Sequence, residues 1–163
     1  MAQNKKKQLS ARQAAIQAIK QVVDKQLSLT TVLPELSKTT KLDEQPLLQE
    51  MTYGCLRWFL QLDAIIARLV KKPFKEKDRD IHFLLIVGLY QLIHMRVPAH
   101  AAVDETVKVA NKIGKKWDTG IVNAVLRNFQ REQEEILQEI NAESVTAYSH
   151  PKWFINLIKQ SWP

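Results

Sequence analysis

The stretch from Gly88 to Arg127, GLYQLIHMRVPAHAAVDETVKVANKIGKKWDTGIVNAVLR, limits the possible folds more than any other part of the chain. It links an apolar helix, a Pro-punctuated break, an amphipathic helix, a basic loop and a second apolar helix. Ile81, Leu84, Leu85, Val87, Gly88, Leu89, Leu92 and Ile93 make the first helix apolar nearly all round, the pattern of a central buried helix. Gly88 costs that helix about 1 kcal/mol of propensity, so it predicts a point where another helix comes close. Val97-Pro98 breaks the chain, and Pro98 pre-sets the entry to a helix over 99–113. There Val103, Val107 and Ala110 face inward, while Asp104, Glu105, Lys108 and Lys112 face water. Gly114 stops it. Asp118 or Thr119 then caps a helix carrying Ile121, Val122, Val125, Leu126 and Phe129. No residue in the stretch has the look of a catalyst.

The remaining sequence extends the same pattern. Ser10 caps a helix running to about Leu27, with Ala11, Ala14, Ala15, Ala18, Ile19, Val22 and Val23 on its apolar face. A short helix follows over 31–37. Asp43 caps a third, which tolerates Pro46 in its first turn and carries Leu47, Leu48, Met51, Cys55, Leu56, Trp58 and Phe59 inward. A fourth, over 62–70, ends before the basic segment KKPFKEK. Asp78 or Asp80 opens the fifth, which holds Gly88. The acidic run REQEEILQEI reads as a solvated face. After Asn141 the tail AESVTAYSHPKWFINLIKQSWP begins one more amphipathic helix, so the chain reads as the front piece of a longer protein. The expected fold is all-α, with about seven helices in two packed halves and the start of a linker helix. Residues 1–8 are expected to be a flexible basic terminus, 9–141 the folded unit and 142–163 a joint.

The formal net charge of +7 points to a polyanion partner. The single cysteine, Cys55, allows no intrachain disulfide and sits in an apolar pattern, as a buried hydrophobe does; a reducing cytoplasm fits. No apolar segment follows the polar first residues as a signal peptide requires. The longest apolar run, Phe83–Tyr90, is far short of the roughly 20 residues of a membrane span. His82, His94, His100 and His150 include no i, i+4 pair, so no metal site is expected. His100 reads as a capping or packing residue. Asp104 and Glu105 are adjacent and diverge by about 100° on a helix, which rules out a paired acid and base. Neither glycine-rich phosphate motif occurs, so no nucleotide or S-adenosylmethionine site is expected within the chain.

The basic residues do cluster. Lys5, Lys6, Lys7, Arg12, Lys20 and Lys25 stand against Asp24 alone in the first 25 residues. Arg68, Lys71, Lys72, Lys75 and Lys77 stand against Glu76, and Lys108, Lys112, Lys115 and Lys116 make a third group. Such charges bind RNA phosphates with a steep salt dependence; solvated helix ends are the plainer alternative. The residues expected to meet RNA are Lys5, Lys6, Lys7, Arg12, Lys20, Lys112, Lys115 and Lys116. Trp117 reads as a core or interface anchor.

Several strings resemble a known family. Glu50…Tyr53-Gly54…Arg57, Arg79-Asp80, Gly88–Leu92, Pro98–Val107 and Gly120–Arg127 resemble the NusB-like fold. Within it they are similar to the amino-terminal domain of the Sun/Fmu family of 16S rRNA cytosine-C5 methyltransferases, and His150-Pro151-Lys152-Trp153 is similar to the joint leading to that family's catalytic half. The resemblance implies an RNA-binding domain that positions 16S rRNA for a catalytic domain using S-adenosylmethionine and two cysteines. Both cysteines belong to the downstream domain. Cys55 matches neither, so the chain alone is expected to be inactive and to bind no cofactor or metal. The implied partners are 16S rRNA and the chain's own methyltransferase domain, with no membrane involved. Two other functions fit the same strings. One is a free-standing antitermination factor. The other is a domain that only packs on the catalytic half, with Trp153, Phe154 and Trp162 as its interface. Tyr53, Gly54, Arg57, Asn123 and Arg127 also suit helix packing and capping, with Arg57 and Arg127 bonding carbonyls or Asp80.

Overall fold

From Phe83 to Gln91 every residue is buried, and these residues form the middle of the helix Arg79–His94. The computed structural model describes residues 8–113 and 116–163, without the side chains of Lys116 and Trp117. Nine α-helices form among the described residues: α1 (Ala11–Val23), α2 (Leu29–Thr39), α3 (Gln45–Arg57), α4 (Phe59–Leu69), α5 (Arg79–His94), α6 (Ala99–Lys112), α7 (Lys116–Asn141), α8 (Ser144–Tyr148) and α9 (Lys152–Ser161). Helices α1, α2 and α3 pack on one another, and α7 packs on α4 and α6. Helix α5 touches α1, α3, α4, α6 and α7, so the two halves share it as their core. The all-helical bundle in two halves is therefore as the sequence indicates, with α8 and α9 added at the end. No helix among the described residues is long and apolar enough to cross a membrane.

Small side chains set the helix spacing. On α1, Ala11, Ala14, Ala15 and Ala18 have no exposed surface and let α3 and α5 approach. At Gly88 a Cβ would stand 3.1 Å from both Leu126 methyls on α7 and from Thr106 Cγ2 on α6, the close approach expected from its cost in propensity. Gly54 is under a tighter constraint, because a Cβ there would lie 2.0 Å from Tyr90 Cζ and Oη.

Buried polar groups tie the halves together. Gln91 is fully buried on α5. Its amide nitrogen donates to Val87 O (3.1 Å) and to Thr106 Oγ1 (3.2 Å), and Thr106 Oγ1 donates to Ala102 O (2.7 Å). Arg12 Nε on α1 donates to the Gln91 amide oxygen at 2.9 Å.

Local chemistry moved several boundaries. Ser10 caps α1 in a reciprocal box with Gln13, as expected. The helix stops at Val23 rather than Leu27, because Gln26 turns left-handed (φ 55°) and Leu27 N bonds back to Gln21 O. Asp43 does not cap α3. It lies in a 3-10 turn, Leu42–Glu44, whose Glu44 carboxylate accepts from Ala11 N at 2.6 Å and so neutralises the start of α1. The break between α3 and α4 falls at Trp58, so Phe59 opens α4 rather than closing α3. Helix α7 starts at Lys116, which places Asp118 and Thr119 inside its first turn instead of at its cap. The run REQEEILQEI is not wholly solvated. A kink at Glu132 turns it, and Ile136 is fully buried. His100 is exposed and so does not pack.

Candidate nucleic-acid interface

The cations expected at RNA fall into different situations. Lys5, Lys6, Lys7 and Lys115 lie outside the described residues, and Lys116 opens α7 with its side chain undescribed. Arg12 is half-buried and bonded to Gln91; desolvation lowers its pKa, against the opposing charges of Glu105 and Glu44. Lys20 pairs with Asp80 at 2.6 Å. It borders a small cavity of about 100 Å³ where Gln13 and Gln17 of α1 meet Val109 of α6. Lys112 is exposed at the end of α6, while its neighbour Lys108 pairs with Glu105 at 2.6 Å. That hydrogen bond holds the Glu105 carboxyl below its usual range and raises Lys108. Two of the expected contacts, Arg12 and Lys20, are thus engaged in holding α1 to α5.

A second group of cations is freer. After α4 ends at Leu69, Pro73 keeps the chain from forming a helix until the 3-10 turn Glu76–Asp78. Lys71, Lys72 and Lys75 project from this strap, exposed and without an ion pair among the described residues. Cavities of about 440 and 730 Å³ flank it, and Lys71, Lys72, Pro73 and Phe74 line both. Arg68 just before the strap bonds Glu139 at 2.9 Å, which raises its pKa. Arg79 just after it chelates Asp24, with Nε 3.0 Å from Oδ2, and its pKa rises for the same reason. The segment KKPFKEK signals this group through lysines beside a proline, but the cavity wall contributed by α7 lies far along the chain.

Cys55 is fully buried, and desolvation holds its thiol well above its ordinary pKa, so it is the small hydrophobe expected. His82 Nε2 lies 2.9 Å from Asp63 Oδ1 at the smaller of the two strap cavities, whose described lining offers no serine, threonine or cysteine for such a dyad to activate. Among the described residues no cluster of three His, Cys, Asp or Glu could hold a metal ion.

A stack of rings, which no local pattern in the sequence signals, joins the end of α3 to α5. Arg57 lies 4.5 Å over the Trp58 ring, Trp58 stacks on His94 at 4.5 Å, and His94 stacks on Tyr90 at 5.5 Å. Arg57 also donates to Tyr148 O at 3.0 Å, the carbonyl bond expected of it, whereas Arg127 bonds the Asn123 side chain. His94 Nε2 is 3.1 Å from the Gln61 amide oxygen, and the Gln61 amide nitrogen bonds Asn141 Oδ1 at 3.1 Å. Desolvation, then the charge of Arg57, lowers the His94 pKa below its ordinary 6.5. The folded state therefore favours the neutral ring. Its stability is full above about pH 6.5 and falls as pH drops through that value towards the folded pKa. Urea midpoints should decline from pH 7.5 to 5.5 in the natural chain and decline less in His94→Gln. Equal slopes in the two would refute this account.

Three relatives align with almost the whole chain, each named ribosomal RNA small subunit methyltransferase B. The protein of Klebsiella pneumoniae subsp. pneumoniae is 46% identical over 158 residues, covering 97% of this chain and 36% of its own length. Those of Cronobacter sakazakii and Escherichia coli are each 44% identical over 158 residues, covering 97% of this chain and 37% of their own lengths. The chain thus spans a little over one third of these relatives, at their amino-terminal end. Residues 9–131, which run from the Ser10 cap to just before the α7 kink, match the NusB family, and the chain belongs to that family.

Proposed function

We propose that this chain is the RNA-binding amino-terminal domain of a 16S rRNA (cytosine-C5) methyltransferase, and that it positions rRNA for a catalytic domain dependent on S-adenosylmethionine. The observation that carries this reading is the identity of 44–46% across 97% of the chain to proteins of that name. The match reaches beyond the NusB-family span at 131 and into the tail, which a free-standing antitermination factor has little need to share. The net charge of +7 and the exposed cations on the strap and at the end of α6 suit a polyanion. On this reading residues 9–141 form the RNA-binding unit, 142–163 form the joint, and the protein works in the cytoplasm.

S-adenosylmethionine carries a positive sulfonium, and the cavities of about 440 and 730 Å³ beside the strap are rimmed by Lys71 and Lys72. Lysines do not suit a sulfonium, and cofactor binding and methyl transfer belong on this reading to the catalytic domain. The 163-residue chain should bind 16S rRNA fragments at low salt and transfer no label from S-adenosylmethionine. Methyl transfer by the chain alone would refute the assignment.

Helix α9 favours a second role alongside the first. Trp153 is 68% exposed and Trp162 77%, with Leu157 and Ile158 also exposed. This face would pack on the catalytic half. The variant K115E/K116E tests the basic rim, since RNA affinity drops if Lys115 and Lys116 meet RNA, whereas a domain that only packs binds no RNA even at low salt.

A further inference from the structure

We infer that the strap between α4 and α5, together with α7, forms a cleft for an unpaired nucleotide of RNA, distinct from the basic rim at the end of α6. The inference rests on the RNA-binding reading above and adds a specific place and ligand chemistry to it.

The larger of the two strap cavities, about 730 Å³, has Leu69 and Val70 on one side and Ile121 and Val125 of α7 on the other. Such a lining favours a flat apolar group. Its rim carries Lys71, Lys72 and Lys75, all exposed and without an ion pair among the described residues. Between positions 68 and 78 five cations stand against Glu76 and Asp78, the latter lining the cavity, so the local balance of charge is positive. A ligand that is flat and apolar in the middle and anionic at its edge matches this arrangement, and a nucleotide is such a ligand.

Two side chains refine the match. Phe74 lines both cavities and gives a base a ring to stack on, a contact worth about 1–3 kcal/mol per base in proteins that hold single strands. Asn128 lines the larger cavity, and its amide oxygen already accepts from Arg131. Its NH2 group is left to donate to a carbonyl or ring nitrogen of a base. Because Lys71 and Lys72 border the cavities on both sides of Pro73-Phe74, a single strand can cross the strap with phosphates on the lysines and a base in the cleft. A duplex cannot, since its bases are stacked and paired.

Single-stranded RNA carrying 4-thiouridine would be titrated onto the 163-residue chain, irradiated, and the crosslinked peptides mapped. The expected crosslinks fall within residues 69–78 and 121–128. The triple variant K71A/K72A/K75A, altered only at exposed positions, should bind with a salt slope smaller by about 2, since each single-strand phosphate contact contributes about 0.7. Crosslinks confined to residues 108–119, or an unchanged slope in the triple variant, would overturn the cleft while leaving the RNA-binding reading intact. Displacement of the RNA by polyglutamate at equal charge would also overturn it, because it would show that any polyanion suffices. Absence of RNA binding by the unaltered chain at low salt would overturn both.

Discussion

Gly54→Ala is expected to lower stability by about 2–3 kcal/mol, the upper range for an overpacked core. A Cβ at position 54 would stand 2.0 Å from Tyr90 Cζ and Oη, a distance no relaxation of a few tenths of an ångström can relieve. The Tyr90 ring has little room to move, because it is buried and stacks on His94, which stacks on Trp58. The gain of about 1 kcal/mol in helix propensity does not offset this. The urea midpoint of the variant checks the loss. Shrinking the partner, as in Gly54→Ala/Tyr90→Leu, should cost less than the two single changes summed, because the clash is shared between the two positions. A midpoint for Gly54→Ala equal to that of the natural chain would show that α3 and α5 are not pressed together as described.

Arg12→Ala is expected to cost about 2 kcal/mol, because it leaves the buried oxygen of Gln91 without its donor. The remaining Gln91 bonds, to Val87 and Thr106, use only its amide nitrogen and cannot turn to compensate. The double change Arg12→Met/Gln91→Leu removes donor and acceptor together and should be less costly than Arg12→Ala. Denaturant melts measure this effect, and RNA titration of the same variants separates it from binding. A loss of affinity without a loss of stability would return Arg12 to the interface.

The sequence allowed the core to be read more reliably than the surface. Helix α5 is apolar on all sides, and that periodicity identifies a buried helix whatever surrounds it. Gly88 was legible for the same reason, as a costly residue in an otherwise optimal helix. Gly54 could be seen as a packing position, but not the ring that restricts it, because Tyr90 is distant in sequence. The same gap in sequence affects the cations. Lys20 and Arg12 count as free charges until the fold brings Asp80 and Gln91, 60 and 79 residues away, within bonding distance. Asp43 looked like a cap because its residue type is right, but a 3-10 turn placed Glu44 at the start of α1 instead. The strap could be read as a basic patch and not as a cleft, since its second wall comes from α7.

RNA binding by this NusB-family domain is proposed to run through exposed charge. Titration of the 163-residue chain with single-stranded 16S rRNA fragments, repeated across salt concentrations, decides it. With about five phosphate contacts at about 0.7 each, the slope of log affinity against log salt should be near −3.5, a loss of roughly 100-fold between about 50 and about 200 mM. Affinity that does not change with salt, or no binding at the lowest salt, would show that exposed charge does not hold RNA on this domain.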